Sequence, residues 1–205
     1  MEPTGTVEIA LAHASGLLQA NPALAVEQAS EILKVVPNHP VATLLLGMAQ
    51  RSSGDSATAL RTLRALVDAQ HRWAAAHYEL GLTLGEAGQH AEAAAALGRA
   101  VALKPDLPDA WRALGDVLTV TGDLAGADTA YANHIKASTH DPRLLEAASA
   151  LVEKRIPEAE SLLRAHLRRF PTDVAAIRML AEVGARLGRY ADAETLLSRC
   201  LELAP

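Results

Sequence analysis

The chain has 205 residues, half of them apolar and only 3% aromatic, which allows a sizeable core but argues against a β-sheet one. A net charge of −5 repels a phosphate backbone, and so few aromatic rings offer little for stacking bases, so nucleic acid is a poor partner. The one cysteine, Cys200, allows no intrachain disulfide, and no apolar run reaches the ~18 residues of a membrane span. The polar start Met1-Glu2-Pro3-Thr4-Gly5 lacks the basic and apolar parts of a signal peptide, so the sequence reads as a soluble cytoplasmic protein.

Along the chain the same pair of helical stripes recurs with a period near 34 residues. The first unit, 6–39, keeps the phase through Asn21-Pro22, Ala25 and Pro37, with His13 where a glycine is expected. The second, 40–73, carries Thr43-x-x-Leu46-Gly47, a breaking Gly54, then Ala59-x-x-x-Leu63. The third, 74–107, repeats this as His77-x-x-Leu80-Gly81, Gly88 and Ala93-x-x-x-Leu97. The fourth, 108–139, has Trp111-x-x-Leu114-Gly115, Gly122-Asp123 as helix break and cap, and Ala127-x-x-x-Tyr131. Two residues are lost between His134 and Pro142. The fifth unit, 140–173, then lacks the breaking glycine and turns at Lys154-Arg155-Ile156-Pro157, where a local change of twist is expected. The sixth, 174–205, has Ile177-x-x-Leu180-Ala181, Ala193-x-x-x-Leu197 and a final Pro205.

Small residues at the glycine and alanine positions let paired helices approach, and the large residues beside them fill the remaining space. Leucine at Gly115 or Ala127 is expected to overpack by about 1–3 kcal/mol.

Chemistry is sparse. There is no P-loop, no His-Glu-x-x-His and no Cys-x-x-Cys. Gly81, Gly85 and Gly88 lie in and just after a predicted helix with no strand before them, so they read as helix packing and a cap. His134, His166 and Cys200 share one repeat position. Helices ~8–10 Å apart do not easily converge three side chains onto a metal needing ligands at ~2.0–2.3 Å. Cys200 falls in an apolar stripe and reads as buried and inert. No catalytic residue, metal or cofactor is expected.

These motifs, clearest in Trp111-x-x-Leu114-Gly115 and Ala127-x-x-x-Tyr131, resemble the tetratricopeptide repeat. The resemblance implies an all-α, right-handed superhelix (an α-solenoid) of about six helix-turn-helix repeats, forming one domain over 1–205. It also implies a concave face lined by the first helix of each repeat. The residues placed there are Leu44, Met48, Tyr78, Glu79, Leu82, Arg112, Asp116, Thr119, Leu144, Ala148, Arg178 and Glu182. Arg112 and Arg178 can pair with carboxylates of a partner, or instead with Asp116 and Glu182 four residues on. The lysine and asparagine clamp with which some repeats of this kind hold chaperone tails is absent.

The stretches Ala76-His77-Tyr78-Glu79-Leu80-Gly81, Pro108-Asp109-Ala110-Trp111-Arg112-Ala113-Leu114-Gly115-Asp116 and Arg178-Met179-Leu180-Ala181-Glu182 are similar to the N-terminal region of bacterial tetratricopeptide–sulfotransferase fusion proteins. That resemblance implies a protein- or peptide-binding arm, truncated before a C-terminal catalytic domain. An assembly module that self-associates through its end repeats is the alternative.

Overall fold

The computed structural model describes residues 4–139 and 141–203. Pro205, expected at a repeat end, and the leading Met1-Glu2-Pro3 lie outside them. The described residues form twelve helices and no strand. They divide into two compact units. The first holds α1 (Thr4–Ala20), α2 (Pro22–Val35), α3 (Pro40–Ser52), α4 (Ser56–Ala69), α5 (Ala74–Glu86), α6 (His90–Leu103) and residues 116–123. The second holds residues 106–115, α8 (Leu124–Ser138), α9 (Leu145–Val152), α10 (Ile156–Arg169), α11 (Val174–Arg186) and α12 (Tyr190–Leu203). The helix α7 (Pro108–Thr121) gives its first part to the second unit and its end to the first.

In the first unit, successive helices pack as antiparallel hairpins because their short turns leave no other geometry. Pro22 and Pro40 each sit in a first helical turn, where a missing N–H costs nothing. The side chains of Asn21 and Asp55 accept the Leu24 and Thr58 amides at 3.1 Å, satisfying donors that would otherwise be orphaned. Leu60, Leu63, Leu80 and Leu84 fill the core between α3, α4, α5 and α6. A methyl added at Gly81 would meet Leu97 Cγ at 2.6 Å, so the absent side chain is what lets α5 and α6 close on one another.

The first hairpin departs from the expected phase. Ala14, not His13, takes the small buried position, with Ala14 0% exposed and His13 exposed. Only Asn21 separates α1 from α2, whereas Ser53, Gly54 and Asp55 separate α3 from α4. From the small residue of the first helix to that of the second, Ala14 to Ala25 spans 11 positions where Gly47 to Ala59 spans 12, so the phase of α1 is shifted by one residue, about 100° around a helix of 3.6 residues per turn.

In the second unit, Leu144, Leu151, Leu163, Met179 and Val183 form the core. The Asp173 side chain caps α11 through the Ala176 amide at 3.2 Å. The α9 helix has 8 residues where α11 has 13, because the chain that would form its first turn runs as a turn instead. The glycine position between α9 and α10 is filled by Lys154, held at a left-handed φ of 58°.

Candidate partner-binding site

The second unit has an open cavity of about 230 Å³ between α8, α11 and α12. Its floor is small and apolar: Ala181, Ala185, Ala193 and Leu197. Tyr131 and Ile135 of α8 form one wall, and Arg178 and Glu182 stand on α11. The volume falls below the ~300–1,000 Å³ usual for small-molecule sites and suits one or two side chains of a peptide.

Helical spacing brings Arg178 and Glu182 together, four residues apart on one face. They do not pair. Arg186, one turn further on, takes Glu182 instead, its Nε donating to Oε1 at 2.8 Å. Its Nη2 reaches both Asp128 Oδ1 and the Asp128 carbonyl at 2.9 Å, and its Nη1 reaches the Leu151 carbonyl at 3.2 Å. Among the described residues Arg178 has no ion-pair partner, and it is exposed. The cavity therefore carries one unneutralised cation over an apolar floor. Spacing alone does not single out Arg186, since Glu182 has an arginine one turn away in both directions.

The other expected groove residues fall into three groups. Leu44, Glu79, Leu144 and Ala148 are buried, and side chains such as Leu144 (1% exposed) and Ala148 (0%) have no surface to give a partner. Glu79 is taken by Arg51, whose Nη2 lies 3.1 Å from Oε2, and burial raises the Glu79 pKa against the pull of that guanidinium. Met48, Tyr78 and Leu82 are half-buried in the first unit. Arg112, Asp116 and Thr119 are exposed, and Arg112 lies 3.6 Å from Asp109 one turn back.

The recurrent His134, His166 and Cys200 position is used for packing. His134 Nδ1 lies 2.9 Å from the Pro108 carbonyl, His166 Nε2 lies 2.8 Å from Asp173 Oδ2, and Cys200 Sγ lies 3.8 Å from the Val174 carbonyl. Each joins a second helix to the start of a first helix. Cys200 is half-buried rather than buried, and it sits on α12, where Ala193 is the one buried residue among those described. Burial raises its thiol pKa, and Arg178 pulls the other way. No described helix is long and apolar enough to cross a membrane.

The paired helices, their small-against-large contacts and their near-constant repeat define a helical-repeat protein. The chain belongs to the tetratricopeptide repeat family, whose model matches residues 78–142 and 144–205. No curated protein sequence matches it. Among solved structures it is similar to MamA (41-end) from Desulfovibrio magneticus RS-1, at 16% identity over 96% of this chain and 94% of that one, with a TM-score of 0.62. It is also similar to pilF of Pseudomonas aeruginosa, at 17% identity over 98% and 93%, with a TM-score of 0.63. A chain of the APC/C hetero-tetramer Cut9-Hcn1 matches at 18% identity over 97% of this chain and 40% of that one, with a TM-score of 0.58. Identities this low speak to the fold alone.

Proposed function

We propose that this chain is a protein- or peptide-binding scaffold, and that its second unit takes a segment carrying a carboxylate beside an apolar side chain. The observation that carries this reading is Arg178, unpaired among the described residues and exposed at the edge of an apolar cavity, while Glu182, four residues on, is held by Arg186. A guanidinium binds a carboxylate through two parallel hydrogen bonds, and an apolar side chain gains by leaving water for the alanine floor. The half-buried Met48, Tyr78 and Leu82 offer further apolar contacts in the first unit. The hetero-tetramer containing Cut9 and Hcn1 is a related fold in a protein assembly, which accords with a scaffold role.

Peptide display against the full chain tests the reading. Enriched segments should carry Asp or Glu next to Leu, Ile or Phe, and the Arg178→Glu variant should lose that enrichment. Selection of basic segments, or the same selection by both proteins, overturns it.

The narrower role is that of a recruiting arm for a sulfotransferase-like catalytic domain. It rests on the sequence resemblance, and the reading frame downstream of Pro205 tests it: a stop codon with no such domain counts against it. Self-association is favoured by one observation, the exposure of Tyr190 (72%) and Leu201 (71%) on α12. A molar mass that stays monomeric by light scattering at two concentrations removes that alternative.

A further inference from the structure

Arg186 is largely withdrawn from solvent, with 9% of its side chain exposed. All three of its guanidinium nitrogens are occupied. Nη1 donates to the Leu151 carbonyl near the end of α9, which also accepts the Lys154 amide of the following turn. Nη2 is fixed by Asp128 at the start of α8. Those contacts, from two other helices, orient the fork so that Nε faces Glu182.

Glu182 has two cations within reach on its own helix. Arg178 lies one turn before it and Arg186 one turn after, and a carboxylate preceding its cation by four residues is the better arrangement. Glu182 lines the cavity in either case, but pairing with Arg186 leaves the Arg178 charge available, whereas pairing with Arg178 would neutralise it with the protein's own carboxylate. We infer that Arg186 is a positioning residue: anchored on α8 and α9, it holds Glu182, keeps Arg178 open and makes the cavity selective for acidic segments. The inference rests on the binding reading above and adds what sets its selectivity. Asp128, the other acid on the latch, does not line the cavity.

The test uses the full chain and two fluorescein-labelled capped peptides, Ala-Leu-Glu-Glu-Leu-Ala and its counterpart with glutamine in place of glutamate, followed by anisotropy. The native protein should prefer the glutamate peptide. Arg186→Gln should lose about three- to fivefold of that preference, the size of a partly exposed ion pair. Adding Glu182→Gln to that variant should restore it, which a merely loosened fold would not do. If Arg186→Gln does not give a native far-UV circular dichroism spectrum, Arg186→Lys replaces it, since an ammonium cannot hold Asp128 and Glu182 in a planar fork. A folded Arg186 variant that keeps its full preference, or one not rescued by Glu182→Gln, overturns the inference. If the native protein shows no preference, the binding reading fails instead. The latch is then judged by the crystal structure of the Arg186 variant. A Glu182 carboxylate within ~4 Å of Arg178 supports it, and one that stays farther from Arg178 overturns it.

Discussion

The α5–α6 and α9–α10 hairpins meet the same geometric demand with different residues. In α5–α6, Gly88 takes a left-handed φ of 74°, its amide bonds to Gly85 at 3.0 Å, and the Gln89 amide reaches Leu84 at 2.9 Å. In α9–α10, Lys154 takes φ 58°, its amide bonds to Leu151 at 3.2 Å, and the Arg155 amide reaches Ala150 at 2.8 Å. The pair of bonds is the same, so the turn is dictated by the need to satisfy helix-end carbonyls, and glycine is its least strained occupant rather than its cause. The close contact differs similarly. Gly81 stands against Leu97 in the first hairpin, while Ala147 and Leu163 are both fully packed in the core of the second unit. What recurs is a small residue opposite a large one, not a glycine.

The largest effects should come from the large partners. Leu97 and Leu163 are both 0% exposed, so replacing either by alanine should cost about 2–5 kcal/mol in urea denaturation. A much smaller loss for Leu163→Ala would mean that the second hairpin is packed less tightly than the first. Next comes Gly81→Ala. The added methyl meets the Leu97 side chain at 2.6 Å and its backbone nitrogen at 3.2 Å, and the backbone cannot give way, so about 1–3 kcal/mol should be lost. Smaller still is the exchange of turn residues. Gly88→Ala should destabilise by about 1–2 kcal/mol, while Lys154→Gly should stabilise by about 0.5–1 kcal/mol, both read from the urea midpoint. If both changes act in the same direction, the equivalence of the two turns is wrong.

The repeat, the helix pairs and the packing partners were legible because they are local: period, small-residue spacing and proline placement act within one hairpin. The phase of α1 was not, because one residue missing between the two small positions is invisible until Ala14 and His13 are seen buried and exposed. The site was legible only in part. Arg178 and Glu182 share a helix face by spacing alone, but Glu182's choice of Arg186 depends on Asp128 and Leu151, which lie 58 and 35 residues from Arg186 in the chain. Leu144 and Ala148 were expected on a surface and are buried in the core of the second unit, as Leu44 is in the first, because these positions pack against neighbouring helices that spacing within one helix does not reveal.

The two units also differ in how a carboxylate responds to acid. Glu79, in the first, has its pKa raised above 4.5 chiefly by burial, despite Arg51. On acidification the folded state takes up this proton before the unfolded chain does, so protonating Glu79 adds stability as pH falls through its folded pKa. Asp141, in the second, is lowered from 3.8 to about 2, first by its side-chain hydrogen bonds from Arg143 and then by the Arg143 amide. Its contribution is present above pH 3.8 and is lost between there and about 2, because the unfolded chain binds the proton first. Asp141→Asn should therefore flatten the fall in stability below pH 4 and leave the behaviour above it nearly unchanged. Glu79→Gln should remove the gain on mild acidification, and urea titrations at pH 6, 4.5 and 3 separate the two. Loss of stability on mild acidification that disappears in Glu79→Gln would show the Arg51 pairing outweighing burial, reversing the contrast between the units.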